Sequence, residues 1–262
     1  MQTAPLLHSV FASLLAGGVA TTVGAVPVLF RSKLTRATEN TMMGFGAGVM
    51  LAAASFSLII PGLEHARGQF GEGRVLLPVA LVALGFAGGG LLVSMVHHVF
   101  PHEHFFKGTE GPRAQKLSRT WLFVAAIAFH NFPEGLSVGV AFASGEAETS
   151  LPLALGIAAQ NMPEGLVVAV AMVSAGYSRL RALAVTALTG FVEPFGALAG
   201  HAGVSIATPA LPIGFGLAAG AMIFVVSDEI IPESHQTEAG RATLGLMIGF
   251  VMMMVLDSAL GA

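Results

Sequence analysis

The chain has 262 residues, of which 54% are hydrophobic and 10% charged, with a formal net charge of −3. An ordinary soluble domain is about 25% charged, so this composition excludes a soluble globule and predicts an integral membrane protein. The sequence has no cysteine, which excludes disulfide bonds and thiolate metal sites. It also has no basic block, so we expect no nucleic-acid partner.

Apolar runs divide the chain into segments long enough to cross a bilayer. About 20 apolar residues cross a hydrocarbon core of ~30 Å. Eight such runs predict an all-α integral membrane protein with a single transmembrane domain over residues 1–262. The predicted spans are residues 6–30, 42–63, 75–100, 119–144, 151–175, 181–206, 211–233 and 241–260.

The basic residues predict the orientation of these spans. All 12 Lys and Arg lie between spans or at their ends, and ten of them follow the first, third, fifth and seventh spans. Only Arg67 and Arg74 fall on the other side. Because cytoplasmic loops carry an excess of Lys and Arg, we expect both termini to be extracytoplasmic.

An acidic motif occurs in two adjacent predicted spans. HNFPEG occupies residues 130–135 of the fourth span and QNMPEG occupies residues 160–165 of the fifth, while Glu193 adds a carboxylate in the sixth. A charge at the bilayer centre costs about 2.5–3.5 kcal/mol on insertion scales. Residues 122–176 and 182–240 contain no Lys or Arg. Protons or bound cations must therefore compensate, and about two divalent ions would neutralise three carboxylates.

Helical spacing within each motif favours metal binding. His130 and Asn131 lie four and three residues before Glu134, so one carboxylate can serve two neighbouring sites. Gln160 and Asn161 repeat this spacing before Glu164. Taken singly, an intramembrane His or Asn is more often an interhelical hydrogen-bond partner, but the matched repeat favours a metal site. Imidazole favours zinc and iron, while carboxylates and amides also admit manganese and cadmium.

HNFPEG and QNMPEG resemble the two signature helices of the ZIP (Zrt-, Irt-like protein) family of metal transporters, in particular its bacterial members. The resemblance extends over essentially the whole chain. It implies eight helices in a 3+2+3 inverted-repeat bundle, with both termini extracytoplasmic. It also implies import of divalent metal across the bacterial inner membrane toward the cytoplasm, by an elevator-type motion of a transport domain past a scaffold.

The resemblance further implies a binuclear metal site in which both signature glutamates bridge the ions. The first ion would be bound by Met50, His130, Glu134, Gln160 and Glu164. The second ion would be bound by Asn131, Glu134, Asn161, Glu164 and Glu193. Gln160 stands where many relatives have His, and an amide oxygen is a weaker zinc ligand than imidazole. Zinc is therefore the first expected cargo, and iron, cadmium and manganese are further candidates.

Other polar residues outside this set are candidates for the ion pathway. Ser57 lies two turns beyond Met50, and Glu64 is expected at the extracytoplasmic entrance. His102 and His104 belong to a histidine cluster at the cytoplasmic end of the third span, for which a solvated loop is an equal alternative. Asp228 and Glu229 near the end of the seventh span are expected on the exit path.

These observations predict a transporter rather than an enzyme, with divalent metal ions and the lipid bilayer as partners. Two other functions stay open, namely a proton-coupled transporter of another solute and a membrane metalloenzyme. Against the enzyme, the sequence has no HExxH motif. The sequence does not determine the oligomeric state, and a homodimer stays open.

Overall fold

The computed structural model describes residues 3–30, 34–71, 74–99, 102–104, 108–110, 119–205, 210–235 and 239–260. Helices dominate this described part. Helix α1 consists of Thr3–Ser13, a π-helical segment Leu14–Val19, and Ala20–Ala25. Helices α2, Arg36–Phe70, and α7, Ala210–Ser234, each contain a π-helical segment, Ala54–Ile59 and Val226–Ile230 respectively, and α6 is divided into Arg179–Gly190 and Glu193–Ser205. The remaining helices are α3, Leu76–Val99; α4, Arg119–Ser144; α5, Ala147–Ser174; and α8, Ala239–Leu260.

Seven of these helices, all except α4, are long and apolar enough to cross a membrane. The chain is therefore a multi-pass membrane protein. α4 is a helix of 26 residues at the bounds predicted for the fourth span. Its crossing of the bilayer stays a prediction, as do the inverted repeat and the placement of the termini.

A short β-hairpin is the departure from helix in the described part of the chain. Strand β1, His102–His104, pairs antiparallel with strand β2, Gly108–Glu110. The hairpin lies between α3 and α4, where the sequence predicts a connection between two spans. The all-α prediction thus describes the helical bundle and misses this connection.

Glycines bring α2 against α8 and α3 against α7. A Cβ added at Gly48 or Gly249 would collide with the backbone across the α2–α8 contact, and one at Gly89 or Gly220 would do so across the α3–α7 contact. Small residues allow membrane helices to approach this closely. α7 also packs against α2. We refer to α2, α3, α7 and α8 as the 2-3-7-8 group.

The other four helices are joined in the same way. Gly24 and Gly165 bring the backbones of α1 and α5 together, Gly139 and Gly200 do so for α4 and α6, and Gly190 brings α6 against α1. Side chains added at these positions would collide with the neighbouring backbone. We refer to α1, α4, α5 and α6 as the 1-4-5-6 group.

At the seam between the two groups, glycines lie against side chains. Gly156 of α5 lies against the thioether of Met253 on α8, and Gly214 of α7 lies against Val140 and Val204. Within the described residues, no glycine brings a backbone of one group directly against a backbone of the other. The closest backbone contacts made by glycine therefore lie inside each group.

Candidate metal site

The first acidic motif lies on α4 and the second on α5, and one hydrogen bond connects them. Nε2 of Gln160 donates to Oε1 of Glu134 at a distance of 2.5 Å. Both side chains are buried. Because a carboxylate can only accept, this contact turns the amide nitrogen of Gln160 toward Glu134 and leaves its Oε1 for another partner.

A second pair connects α5 with α6. Nδ2 of Asn161 donates to Oε1 of Glu193 at 2.6 Å, and both residues are fully buried. α6 is interrupted at residues 191–192, and Glu193 begins its second half, followed by Pro194. Proline is favoured in the first turn of a helix because it lacks the N–H that would be unpaired there. The break therefore puts Glu193 at a helix N-terminus, where the backbone dipole favours a negative charge.

The glycine that ends each motif explains part of this arrangement. A Cβ at Gly135 would collide with the backbone of Glu193, so this glycine lets α6 bring its carboxylate against α4. A Cβ at Gly165 would collide with the backbone of Thr21, so the second motif brings α1 against α5. The repeated Pro-Glu-Gly sequence thus combines a charged side chain with a close helix contact.

Several buried oxygens of this cluster have no hydrogen-bond donor among the described residues. They are Oδ1 of Asn131, Oε2 of Glu134, Oε1 of Gln160, Oδ1 of Asn161 and Oε2 of Glu193. Buried polar atoms in proteins are normally paired, so a cluster of unpaired acceptors indicates a site for a donor or a cation. Carboxylate and amide oxygens of this kind are ligands for hard and borderline divalent cations.

Charge within the cluster supports a cation as the partner. Glu134 is close enough to Glu164 and Glu193 for direct electrostatic interaction. Residues 122–176 and 182–240, which include all three carboxylates, contain no Lys or Arg. Carboxylates held together in a bundle repel one another unless positive charge or protons reduce the repulsion.

A cavity reaches the cluster from one side of the bundle. It offers about 40 Å³ of room for water-sized molecules, and Met50, Gln160 and Glu164 lie on its wall. Its other walls include Met42, Ile127, Val167 and Ile230. These residues lie near the starts of α2 and α4 and toward the ends of α5 and α7, the side where most Lys and Arg are found. On the predicted orientation, the cavity opens toward the cytoplasm.

The structure brings most of the predicted ligands together, but their charged side chains alone do not form a metal-binding group. Among the described residues, no three side chains from His, Cys, Asp and Glu form a group that could hold a metal ion. Amide oxygens make up much of the donor set. The side chain of His130 lies outside what the structure describes, and its role as a ligand stays a prediction.

The predicted pathway residues are distributed along α2 and α7. Glu64 is exposed, and Ser57 is buried and donates a hydrogen bond to Oδ1 of Asp257 on α8 at 2.7 Å. Glu229 is buried and Asp228 half-buried in the π-helical segment of α7, directly before the cavity residue Ile230.

His102 and His104 lie in strand β1, and their side chains lie outside the described part of the chain. Asp257, the partner of Ser57, is not among the predicted pathway residues. A single carboxylate close to the end of an apolar run normally indicates a helix end near the membrane surface.

Comparison with known proteins identifies the family. A sequence profile described as "ZIP Zinc transporter" matches residues 101–257. Zinc transporter GufA of Myxococcus xanthus is 49% identical over 252 residues, covering 95% of this chain and 98% of that protein. The chain belongs to the ZIP family. This confirms the resemblance that the two signature motifs indicated.

Other members of the family extend the comparison. Zinc transporter ZIPB of Bordetella bronchiseptica is 48% identical over 247 residues, covering 94% of this chain and 79% of that protein. Zinc transporter ZIP11 of Homo sapiens is 33% identical, covering 92% of this chain and 94% of that protein. The alignment with each relative spans nearly all of this ZIP chain, so the family assignment applies to both groups of helices.

Proposed function

We propose that this ZIP protein carries zinc across the bacterial inner membrane toward the cytoplasm, binding it at the acidic cluster of α4, α5 and α6. The cluster of buried carboxylate and amide oxygens without hydrogen-bond donors carries this proposal. Its relatives in Myxococcus and Bordetella are named zinc transporters, which agrees with zinc as the first cargo. Iron, cadmium and manganese are further candidates, since amide oxygens select weakly among divalent ions.

The proposed site holds two ions. Met50, His130, Glu134, Gln160 and Glu164 would bind the first, and Asn131, Glu134, Asn161, Glu164 and Glu193 the second. The two hydrogen-bonded pairs, Gln160 with Glu134 and Asn161 with Glu193, support this division because each pair leaves carboxylate and amide oxygens available for one ion. Coordination by amides suits a cargo that must be released, because neutral oxygens are weak, exchangeable zinc ligands.

We further propose that transport is an elevator-type motion of the 1-4-5-6 group past the 2-3-7-8 group. Close glycine contacts join helices within each group, and side chains line the seam between them. All the proposed ligands except Met50 lie on the 1-4-5-6 group. The ions would therefore travel with one group, and the contact with Met50 on α2 would change during the motion.

The pathway residues fit the two ends of this route. Glu64 would attract cations at the extracytoplasmic face, and Ser57 would line the approach to Met50. Asp228 and Glu229 would receive ions on the cytoplasmic side, next to the cavity that reaches Glu164.

Zinc uptake by reconstituted protein tests the proposal. Liposomes containing a zinc-sensitive dye would carry wild-type protein or the variants Glu134→Ala, Glu164→Ala and Glu148→Ala. The last variant is the matched control, since Glu148 is an exposed carboxylate in the first turn of α5. We expect loss of uptake in the first two variants and near wild-type uptake in the control. Equal uptake in all four proteins would refute the proposal.

A further inference from the structure

Helix α1 leaves the regular α-helical pattern where it passes the acidic cluster. Its segment Leu14–Val19 is π-helical, and the N–H of Ala20 donates to the carbonyls of Leu15 and Gly17. In an α-helix that N–H would donate to Ala16, four residues earlier. π-helical turns inside longer helices often occur at functional sites.

The carbonyl of Ala16 has a different partner. It accepts a hydrogen bond from Nδ2 of Asn161 at 2.9 Å, so a backbone group of α1 contacts a proposed metal ligand on α5. The same Nδ2 donates to Oε1 of Glu193 at 2.6 Å. Both partners are acceptors, so only the amide nitrogen of Asn161 can face them. Its Oδ1, which has no donor among the described residues, is thereby directed away from both.

The next residue of the π-helical segment makes room for the carboxylate of Glu193. A Cβ added at Gly17 would overlap the Cδ and both Oε atoms of Glu193. The carboxylate therefore lies directly over the backbone of α1. At Gly18, by contrast, an added Cβ would come to 3.2 Å from the Phe191 ring, a side chain that is 43% exposed and has room to shift.

We propose that the π-helical turn of α1 is a further wall of the metal site, beside α4, α5 and α6, and that Gly17 is a positioning residue for Glu193. The Ala16 carbonyl orients the amide of Asn161, so that its oxygen and Oε2 of Glu193 are presented together to the second ion. This inference rests on the proposed function, because it assumes that Asn161 and Glu193 bind the transported cation. It adds a helix to the site that contributes no side-chain ligand.

Adjacent glycines provide the test. Zinc uptake into liposomes would be measured for Gly17→Ala, Gly18→Ala, Glu193→Asp and the double variant Gly17→Ala/Glu193→Asp. Changes to groups that orient metal ligands typically cost 10- to 100-fold, and we expect Gly17→Ala to lower uptake by about that factor. Gly18→Ala makes the same chemical change one residue later, and we expect uptake within about two-fold of wild type.

The double variant separates positioning from a general packing defect. Aspartate is one methylene shorter than glutamate and leaves space for the new methyl group, so we expect the double variant to transport as well as Glu193→Asp alone. Uptake by Gly17→Ala equal to that of Gly18→Ala would overturn the proposal. So would a double variant well below Glu193→Asp, and this comparison holds even if Gly17→Ala alone fails to fold.

Failure of the positioning role of α1 can be told apart from failure of the proposed function. If Glu134→Ala and Glu164→Ala abolish uptake while Gly17→Ala behaves like Gly18→Ala, only the positioning role of α1 fails. If Glu134→Ala and Glu164→Ala retain uptake, the metal site itself is wrong and the role of α1 fails with it.

Discussion

The two groups of helices use the same glycine packing but bury different chemistry. The 2-3-7-8 group has an interior of Ala, Met, Val and Phe side chains, with few buried polar groups such as Ser57 and Glu229. The 1-4-5-6 group buries a cluster of amides and carboxylates, among them Glu134, Asn161 and Glu193. Close packing is therefore a property of both groups, and most of the buried amide and carboxylate side chains lie in one of them. This division suits a mechanism in which one group carries the ion and the other provides a surface to move along.

Joining the two groups covalently should have the largest effect. The chain has no natural cysteine, so a thiol reagent would react only with cysteines that are introduced. Gly156→Cys with Met253→Cys bridges the seam, where these two residues are in contact. We expect a short bifunctional thiol reagent to abolish zinc uptake by this pair, because the groups can no longer slide.

The control pair lies inside one group. The rings of Phe56 on α2 and Phe250 on α8 are in edge-to-face contact, with centroids 5.8 Å apart. Cross-linking Phe56→Cys with Phe250→Cys should leave uptake close to that of the unreacted variant. Full uptake by the cross-linked Gly156–Met253 pair would show that the groups need not move.

Neighbouring glycines test whether both groups depend on close packing. A Cβ at Gly89 would collide with the backbone of Leu217, whereas one at Gly88 would meet nothing within 4 Å beyond its own helical backbone. We expect Gly89→Ala to lower the free energy of unfolding by about 1–3 kcal/mol, the usual cost of overpacking. Gly88→Ala should be neutral or stabilising, since alanine is the better helix former.

The 1-4-5-6 group offers the same comparison in α6. Gly200→Ala would collide with Leu136, and Gly203→Ala would enter open space. Thermal unfolding of the four purified variants in detergent measures the effect. Equal stability of the two variants in either pair would show that the close glycine contact does not stabilise that group.

Gln160 is expected to affect selectivity more than rate. Imidazole is a stronger zinc ligand than an amide oxygen, and it can still donate an N–H to Glu134 as Gln160 does now. We expect Gln160→His to favour zinc over manganese by roughly ten-fold relative to wild type. Competition uptake with both metals measures this ratio, with Gln160→Ala as the control that removes the ligand. An unchanged ratio in Gln160→His would place Gln160 outside the ion-binding set.

Much of this architecture was predictable because membranes impose strong constraints on sequence. Hydropathy predicted the helices of the bundle, since a span needs an unbroken apolar run. The cost of buried charge singled out Glu134, Glu164 and Glu193. Met50 had no such signal, because a methionine in an apolar helix normally indicates packing. Only the family resemblance predicts Met50 as a ligand, and the structure puts it on the wall of the cavity with Gln160 and Glu164.

Other features had no sequence signal that could have revealed them. Glycines are common throughout membrane helices, so their sequence did not predict that close contacts divide the bundle into two groups. The hydrogen bond between Ser57 and Asp257 joins residues 200 positions apart, and neither belongs to a repeated motif. The contribution of α1 comes from the carbonyl of Ala16, a backbone group that every residue has.

Zinc binding by the purified protein tests the central claim most directly. Equilibrium dialysis with radioactive zinc would compare wild type with Glu134→Gln and Glu193→Gln, which keep the side-chain size and remove the charge. Glu148→Gln is the matched control. The account predicts close to two ions per wild-type chain and per control chain, and a marked loss of zinc in the other two variants. Undiminished binding by Glu134→Gln and Glu193→Gln would contradict it.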